Sequence, residues 1–278
     1  MKLTLQDVLD KHKGEPAVIA CHGPSLNEHK HLIEKSNVIR FSTNNWFDFF
    51  DKSPDYWIMA STVDSIFGYQ KEIVKYHVPV FYASSVDTLN PELVQSFVEN
   101  VDYLPYDQRH FEQKNCITIL REFKDYFTKE KNFEFKGVGN NSVMWKPPRC
   151  KSGSGFSIKG ECCFGKQDIT LQEFLEQLCS NREHYSTGDT VAVHMIAFAI
   201  IMGCNPIYLS GIDLNYSKGY ANGANVPLDH YTMWQDNSDN LVNDLKILNE
   251  CALKRGIRII NLNKDAWHNI FETGDFNE

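Results

Sequence analysis

Short, predominantly apolar runs that recur between helix-length segments constrain this chain more than any other feature. Pro16-Ala17-Val18-Ile19-Ala20-Cys21, Val38-Ile39-Arg40-Phe41-Ser42, Tyr56-Trp57-Ile58-Met59-Ala60 and Val78-Pro79-Val80-Phe81-Tyr82 each read as a buried strand. Between them, residues 25–35, 44–51 and 63–76 have the length and spacing of helices, and 3–12 carries an amphipathic pattern. Strands that alternate with helices, and that are apolar on both faces, predict a parallel sheet covered on both sides. The last third repeats the pattern. Thr187 to Met202 is apolar on nearly every side and predicts a buried helix, ended by Gly203-Cys204-Asn205-Pro206. Ile207-Tyr208-Leu209-Ser210 is a strand, 238–254 a helix and Ile257-Arg258-Ile259-Ile260-Asn261 a final strand.

The middle, about 105–185, breaks this rhythm. Residues 116–128 and Ile169 to Cys179 have helical spacing, but 136–166 is rich in Gly, Ser, Lys, Cys and Pro and predicts a long irregular insertion with a short hairpin. The expected fold class is α/β: one Rossmann-like domain over 1–278, its mostly parallel sheet flanked by helices on both faces. Residues 105–185 form an inserted lid or subdomain.

Composition narrows the function. With 278 residues, 42% of them hydrophobic, the chain can bury one sizeable core. A formal net charge of -8 argues against a general nucleic-acid binder, which needs clustered Lys and Arg to neutralise phosphates. The longest apolar run, Val191 to Met202, is interrupted by His194 and is shorter than the roughly 20 residues that span a bilayer. No signal peptide is legible, so the expected location is cytoplasmic. There the eight cysteines are expected as reduced thiols, and the spacing of Cys150, Cys162 and Cys163 lacks the paired short interval of a zinc site.

Five segments carry candidate chemistry. Cys21-His22-Gly23-Pro24-Ser25-Leu26 falls where the first strand turns into a helix; free N–H groups and the helix dipole at such a turn attract a phosphate. It lacks the second and third glycines of the dinucleotide fingerprint. Ser42-Thr43-Asn44-Asn45-Trp46 follows the second strand, where Asn44 or Asn45 can meet a nucleotide or sugar oxygen, or Thr43 or Asn44 can cap a helix. Ser61 and Thr62 stand in the same place after the third strand. Ser186-Thr187-Gly188-Asp189-Thr190 opens the buried helix and suits either a sugar or anion contact or a helix cap. Ser210-Gly211-Ile212-Asp213 ends the strand behind that helix; Asp213 can hold a sugar hydroxyl or a metal, orient a base, or bond loop N–H groups. Asp229-His230-Tyr231 pairs a histidine with an adjacent acid, as general base work on a hydroxyl requires. His194 is expected as a core residue, and His22 adjoins the proposed phosphate turn.

Taken together, Gly23-Pro24-Ser25-Leu26, Thr43-Asn44-Asn45 and Gly203-Cys204-Asn205-Pro206-Ile207-Tyr208-Leu209-Ser210-Gly211-Ile212-Asp213 resemble the bacterial sialyltransferases of glycosyltransferase family 42. They also resemble a wider group that includes Maf-like flagellin glycosylation proteins and archaeal 6-hydroxymethylpterin diphosphokinase-like proteins. The resemblance covers the first 85 residues and the chain from about 186 onward. It implies a Rossmann-like domain with a lid, a nucleotide-sugar donor (CMP-activated, sialic acid-like), a glycan or protein hydroxyl as acceptor, and no required cofactor. By that resemblance the Gly23 turn and Asn44 would contact the nucleotide and its phosphate. Thr187, Gly188 and Thr190 would line the donor sugar, and Tyr216 and Tyr220 would stabilise the departing phosphate. Pro24, Ser25, Asn45, Ser61 and Gly211 complete the expected substrate-binding set. The sequence departs from the sialyltransferase pattern at three places. The histidine expected shortly after His230-Tyr231 falls at Trp234, Asn215 stands where a tyrosine follows the Gly-Ile-Asp motif, and the arginine opening the buried helix is missing. His230 is therefore the expected base, with Asp213 beside it in the catalytic set. The alternatives are an ATP- and magnesium-dependent diphosphokinase, its metal held by Asp213, Asp229 or Asp189, and a non-catalytic nucleotide-sugar-binding module. Peripheral membrane association and oligomer formation are both compatible with the sequence.

Overall fold

The computed structural model describes residues 1–59, 69–83, 101–106, 135–138, 142–145, 190–213, 218–225, 241–242, 245–264 and 269–276. In chain order the elements are α1 (Leu5–Val8), β1 (Ala17–Ala20), α2 (Leu26–Lys35), β2 (Ile39–Thr43), a single 3-10 turn (Trp46–Asp48) and β3 (Tyr56–Met59). There follow α3 (Gln70–Tyr76), β4 (Val80–Ala83), β5 (Tyr103–Tyr106), β6 (Phe135–Val138) and β7 (Ser142–Trp145). The last are α4 (Val191–Ile201), β8 (Ile207–Ser210), β9 (Ile259–Asn261) and β10 (Glu272–Thr273), with helical turns at 245–254 before β9.

Eight strands form one sheet in the order β10-β9-β8-β1-β2-β3-β4-β5. Every neighbouring pair in it is parallel. The period-2 alternation of side chains divides the core between the two faces. On one face Ala17, Ile19, Phe41, Ile58, Phe81 and Leu209 pack under α4. On the other, Val18, Ala20, Trp57, Met59, Val80 and Tyr82 pack against Leu26 and Ile33 of α2 and against Trp46, Phe49, Phe50 and Ile73. Strands apolar on both faces are what a doubly covered parallel sheet needs, and the sequence carried that signal in β1, β3 and β4.

Helix α4 is the keystone of the first face. Every residue from Ala192 to Ile201, His194 included, is buried. At roughly 1.5–3 kcal/mol for each large apolar side chain fully removed from water, one such helix outweighs any surface contact in the molecule. It starts with Thr190, whose extended backbone (φ -136°, ψ 140°) and hydroxyl, accepting from Ala192 N–H at 3.4 Å, make it the N-cap. It stops at Gly203 (φ +76°), where Gly203 N–H reaches the Ile200 carbonyl and Cys204 N–H the Ala199 carbonyl, the paired bonds of a Schellman ending. The Arg255 guanidinium donates to the Ile200 carbonyl and pairs with Asp10, placing a cation on the negative end of the helix.

Several expectations are corrected. The buried helix begins at Val191 rather than Thr187, because Thr190 is its non-helical cap. The expected helix at 44–51 is one 3-10 turn: Asn44 leaves β2 in the left-handed region (φ 45°), and Trp46, Phe49 and Phe50 are driven into the second face of the core. The first helix covers Leu5–Val8 and then turns, with Asp10 at φ 55°. The sheet runs one strand further than expected, to β5, so residues 105 and 106 belong to its edge and not to the insertion. The expected hairpin is present as β6–β7, paired antiparallel from Phe135↔Trp145 to Val138↔Ser142. The expected helices over 116–128 and Ile169 to Cys179 lie outside the described residues, as do Cys116, Cys150, Cys162, Cys163 and Cys179. Cys21, Cys204 and Cys251 are buried and in no disulfide; burial pushes the Cys204 thiol up to about 12, so it is inert near neutrality.

Candidate functional site

Strand order reverses between β1 and β8. From β1 the chain builds outward through β2, β3, β4 and β5, then returns to add β8, β9 and β10 on the other side. In an open parallel sheet the connections leaving two such strands diverge to opposite faces, and the crevice between their carboxyl ends is where ligands bind. The turns that leave β1 and β8 are Cys21–Ser25 and Gly211–Asp213, two of the five segments singled out from sequence.

These turns are locked together by a short network. Gly23 N–H donates to the Gly211 carbonyl at 2.9 Å, and Gly211 N–H donates to Ser25 Oγ at 3.2 Å. Ser25 N–H donates to Asp213 Oδ2 at 2.9 Å, while Asn263 Nδ2 donates to Asp213 Oδ1 at 2.6 Å. Asp213 thereby joins the ends of β1, β8 and β9. The approach is so close that only glycine fits at two positions. A Cβ on Gly23 would lie 2.4 Å from Asp213 Oδ2 and 2.5 Å from the Gly211 carbonyl oxygen, and one on Gly211 (φ +71°) would lie 2.1 Å from the Cys21 carbonyl oxygen.

One expectation about this turn is overturned. The N–H groups opening α2 were expected to stand free for a phosphate. Ser25 N–H is taken by Asp213, Leu26 N–H by the Gly23 carbonyl, Asn27 N–H by the Pro24 carbonyl and Glu28 N–H by the Ser25 carbonyl. Proline has no N–H to offer. The anion at this helix N-terminus is the protein's own Asp213 carboxylate. Its negative charge also contributes, after burial, to pushing the Cys21 thiol well above its usual range.

Around this frame lie the other described candidates. His22, 8% exposed, stacks on Phe49 with ring centroids 4.1 Å apart and planes 17° from parallel. Its Nε2 is buried and has no hydrogen-bond partner among the described residues. Burial pushes its pKa down to about 4, against the opposing pull of the Asp48 carboxylate, so the ring is neutral at physiological pH. After β2, the Ser42 hydroxyl donates to the Ala20 carbonyl at 3.1 Å and the Thr43 hydroxyl to the Ile58 carbonyl at 2.6 Å, which ties those residues into the sheet. Asn45 Nδ2 donates to Asp48 Oδ2 at 2.6 Å. The register Ala20↔Ser42 puts the ends of β1 and β2 side by side, and His22 and Asn44 follow those ends. Tyr220 belongs to a turn closed by Gly223 N–H to its carbonyl, and that turn is docked on the β1 end: Ala221 N–H donates to the His22 carbonyl at 2.8 Å, and Asn27 Nδ2 to the Ala221 carbonyl at 2.9 Å.

Thr190 reaches the same pole by way of its helix. The carboxyl end of α4 lies at the strand-start pole, where Asn205 N–H meets the Glu15 carbonyl and Ala17 N–H the Pro206 carbonyl. Eleven residues at about 1.5 Å each carry its N-terminus roughly 16 Å back, toward the crevice end of the sheet. The Thr190 hydroxyl is committed there as a cap. Thus Gly23, Pro24, Ser25, Asn44, Asn45, Thr190, Gly211, Asp213 and Tyr220 share the carboxyl pole of one sheet. His230, Tyr216, Ser61, Thr187 and Gly188 lie outside the described residues. Sequence reasoning missed Asn263, Phe49 and the Ala221 docking contact. Asn263 had a legible signal, a polar residue alternating with apolar ones past the final strand; Phe49 had none beyond its hydrophobicity.

Among the described residues no three of His, Cys, Asp and Glu gather to hold a metal. Asp213, one of the acids considered for magnesium, accepts one N–H donor on each carboxylate oxygen. No helix among the described residues is long and apolar enough to cross a membrane.

The described fold defines an α/β protein of parallel, doubly covered sheet, whose strand order switches between β1 and β8. No protein-family model matches the chain, and no curated protein sequence does. Among solved structures it is similar to the sialyltransferase CstII from Campylobacter jejuni. The complex of that protein with cytidine-5'-monophosphate is 17% identical and aligns over 94% of this chain and 85% of that one, with a TM-score of 0.46. Its complex with CMP-3FNeuAc is 16% identical over 95% and 90% of the two chains, also at a TM-score of 0.46.

Proposed function

We propose that this protein is a glycosyltransferase that moves a sugar, sialic acid-like, from a CMP-type nucleotide donor to a glycan or protein hydroxyl. The observation that supports the reading is the meeting of the Gly23-Pro24-Ser25 and Gly211-Ile212-Asp213 turns at the carboxyl ends of β1 and β8, with Asn44 following the end of the neighbouring strand β2. In this reading the acceptor oxygen attacks the anomeric carbon as the bond from that carbon to the nucleotide phosphate breaks. His230 takes the acceptor proton, and Tyr216 and Tyr220 donate to the leaving phosphate, whose charge grows as it departs. Asp213 is a positioning residue that fixes the two turns. Transfer then needs no resident metal.

Thermal melts with CMP, CMP-sialic acid, UDP-sugars and ATP, each with and without magnesium, are the test. Stabilisation by the cytidine nucleotides without magnesium is expected, since a ligand that binds only the folded chain raises its melting temperature. Stabilisation by ATP only when magnesium is present would replace this reading with the diphosphokinase one. For the base, His230→Ala is expected to lower transfer by a factor of roughly 100 or more while the donor's melting shift stays close to wild type. Unchanged turnover would remove His230 from the mechanism.

A further inference from the structure

The bonds from Gly23 N–H, Gly211 N–H and Ser25 N–H all run between the turns leaving β1 and β8. The remaining bond of that frame comes from outside it: Asn263 Nδ2 reaches Asp213 Oδ1 at 2.6 Å. The backbone that carries this amide is itself tied down. Leu262 N–H donates to the Leu209 carbonyl at 3.0 Å, continuing the β8–β9 ladder. Asn263 N–H donates at 3.1 Å to Oδ1 of Asn261, a buried residue at the end of β9. A side-chain carbonyl that takes the N–H two residues on closes an Asx turn. From the β10 side, Gly274 N–H meets the Asn261 carbonyl at 3.3 Å. Asn263 therefore stands on a fixed stretch of chain when its amide meets Asp213.

A carboxylate held at one oxygen can still turn about its Cβ–Cγ bond, because its two oxygens are chemically alike. Held at both, its plane is set. Ser25 N–H on Oδ2 and the Asn263 amide on Oδ1 make that two-point hold. The turn leaving β1 lies directly against the carboxylate: a Cβ on Gly23 would meet Oδ2 at 2.4 Å and the carboxyl carbon at 3.0 Å. A carboxylate that turned would release Ser25 N–H and shift against the Gly23 backbone. The bonds made by Gly23 N–H and Gly211 N–H do not involve Asn263, so they survive the loss of its amide. What that loss removes is the orientation of one charged group at the pole of the sheet.

We propose that Asn263 is a positioning residue for sugar transfer: its amide sets the plane of the Asp213 carboxylate, and through it the spacing of the turns leaving β1 and β8. The inference rests on the glycosyltransferase reading. Asn263 acts only through Asp213 and exchanges no proton or bond with the substrate. A displacement of about 1 Å at a reacting centre costs up to roughly 100-fold in rate, so the loss falls on turnover more than on donor affinity. The pair also has a chemical signature. The Asn263 Nδ2 group donates, and a carboxylate in its place cannot. With Asn263→Asp, two carboxylates would oppose each other at neutral pH where a hydrogen bond stood. In acid, a proton shared between them would restore an O–H···O bond.

CMP release from CMP-sialic acid, with water as the acceptor of the sugar, is measured for wild type, Asn263→Ala and Asn263→Asp, with melting curves alongside. Asn263→Ala is expected to lose about tenfold or more in kcat while its KM for the donor stays within about threefold of wild type. For Asn263→Asp, the rate relative to wild type is expected to rise several-fold between about pH 8 and about pH 5.5, as the shared proton is taken up. Other titrating groups are common to the two proteins and cancel in that ratio. A ratio that stays flat across the range would show that the Asn263 side chain does not face the carboxylate, and would overturn the inference. So would an Asn263→Ala rate that falls only in proportion to the unfolded fraction, which would make the residue a stabiliser of the fold alone. Should Asn263→Ala not fold, the nearly isosteric Asn263→Asp carries the measurement by itself. Wild type that turns over neither CMP-sialic acid nor any UDP-sugar would sink the glycosyltransferase reading, and the positioning role with it.

Discussion

Gly211→Ala is expected to destabilise the protein by at least ~3 kcal/mol, a drop in melting temperature on the order of 10 °C, or to abolish folding. Two effects combine. The backbone there has φ +71°, a conformation that costs an L side chain roughly 1–2 kcal/mol. The added methyl would also lie 2.1 Å from the carbonyl oxygen and 2.6 Å from the carbonyl carbon of Cys21. Those atoms are the backbone at the end of the central strand β1, paired on both sides, and cannot yield without disturbing Gly23 N–H to Gly211 O. Gly223→Ala supplies the control: it has a similar positive φ of +80°, but nothing lies within 4 Å of the added carbon. Its cost should be the backbone term alone, about 1 kcal/mol. The difference between the two melts measures the close approach of the turns. If Gly211→Ala melts within about 2 °C of Gly223→Ala, the two strand ends are not packed as described.

That close approach bears on how much could be read from the chain alone. Strands β1, β3, β4 and β8 were legible because parallel strands buried on both faces must be short and apolar throughout, and no other element of that length has the pattern. Helix α4 was legible for the same reason at helical length. The edges were not. Tyr103–Tyr106 contains a proline, which an edge strand tolerates, and Glu272–Thr273 is exposed, so neither carries a burial signal. The 3-10 turn at Trp46–Asp48 escaped because spacing of three and four between Trp46, Phe49 and Phe50 fits a helix equally well; what ends it is the path of the backbone leaving Asn44.

The site divides along the same line. Gly23 and Gly211 declared themselves as glycines at strand ends, and Asp213 as an acid beside one. What could not be seen was which partner each would take. The helix N-terminus after Pro24 reads as an anion seat from sequence, and it is one; the occupant is Asp213, 188 residues further along the chain. A charge satisfied by a partner that distant leaves no local trace. The burial of the His22 ring is likewise a property of three dimensions, since it depends on Phe49 covering one side of it and on no described residue reaching Nε2.

The same ring should make the protein sensitive to acid in a way that can be isolated. In the unfolded chain His22 titrates near 6.5, whereas in the folded protein burial lowers its pKa to about 4. Between those values the unfolded state binds a proton that the folded state refuses, so folding stability must fall as pH falls. Above about pH 6.5 the ring is neutral in both states and the effect is absent. Below about pH 4 both are protonated and it levels off. Across the interval the loss is on the order of 3 kcal/mol, from about 1.4 kcal/mol per pH unit for one proton. Urea unfolding of wild type and His22→Gln at a series of pH values from 7 to 4 measures it, because every other titrating group is common to the two proteins and cancels in the difference. Wild type is expected to lose more stability than the variant on acidification, by roughly that amount, with the divergence beginning near pH 6.5. Parallel curves over the whole range would mean that the His22 imidazole is open to water in the folded protein.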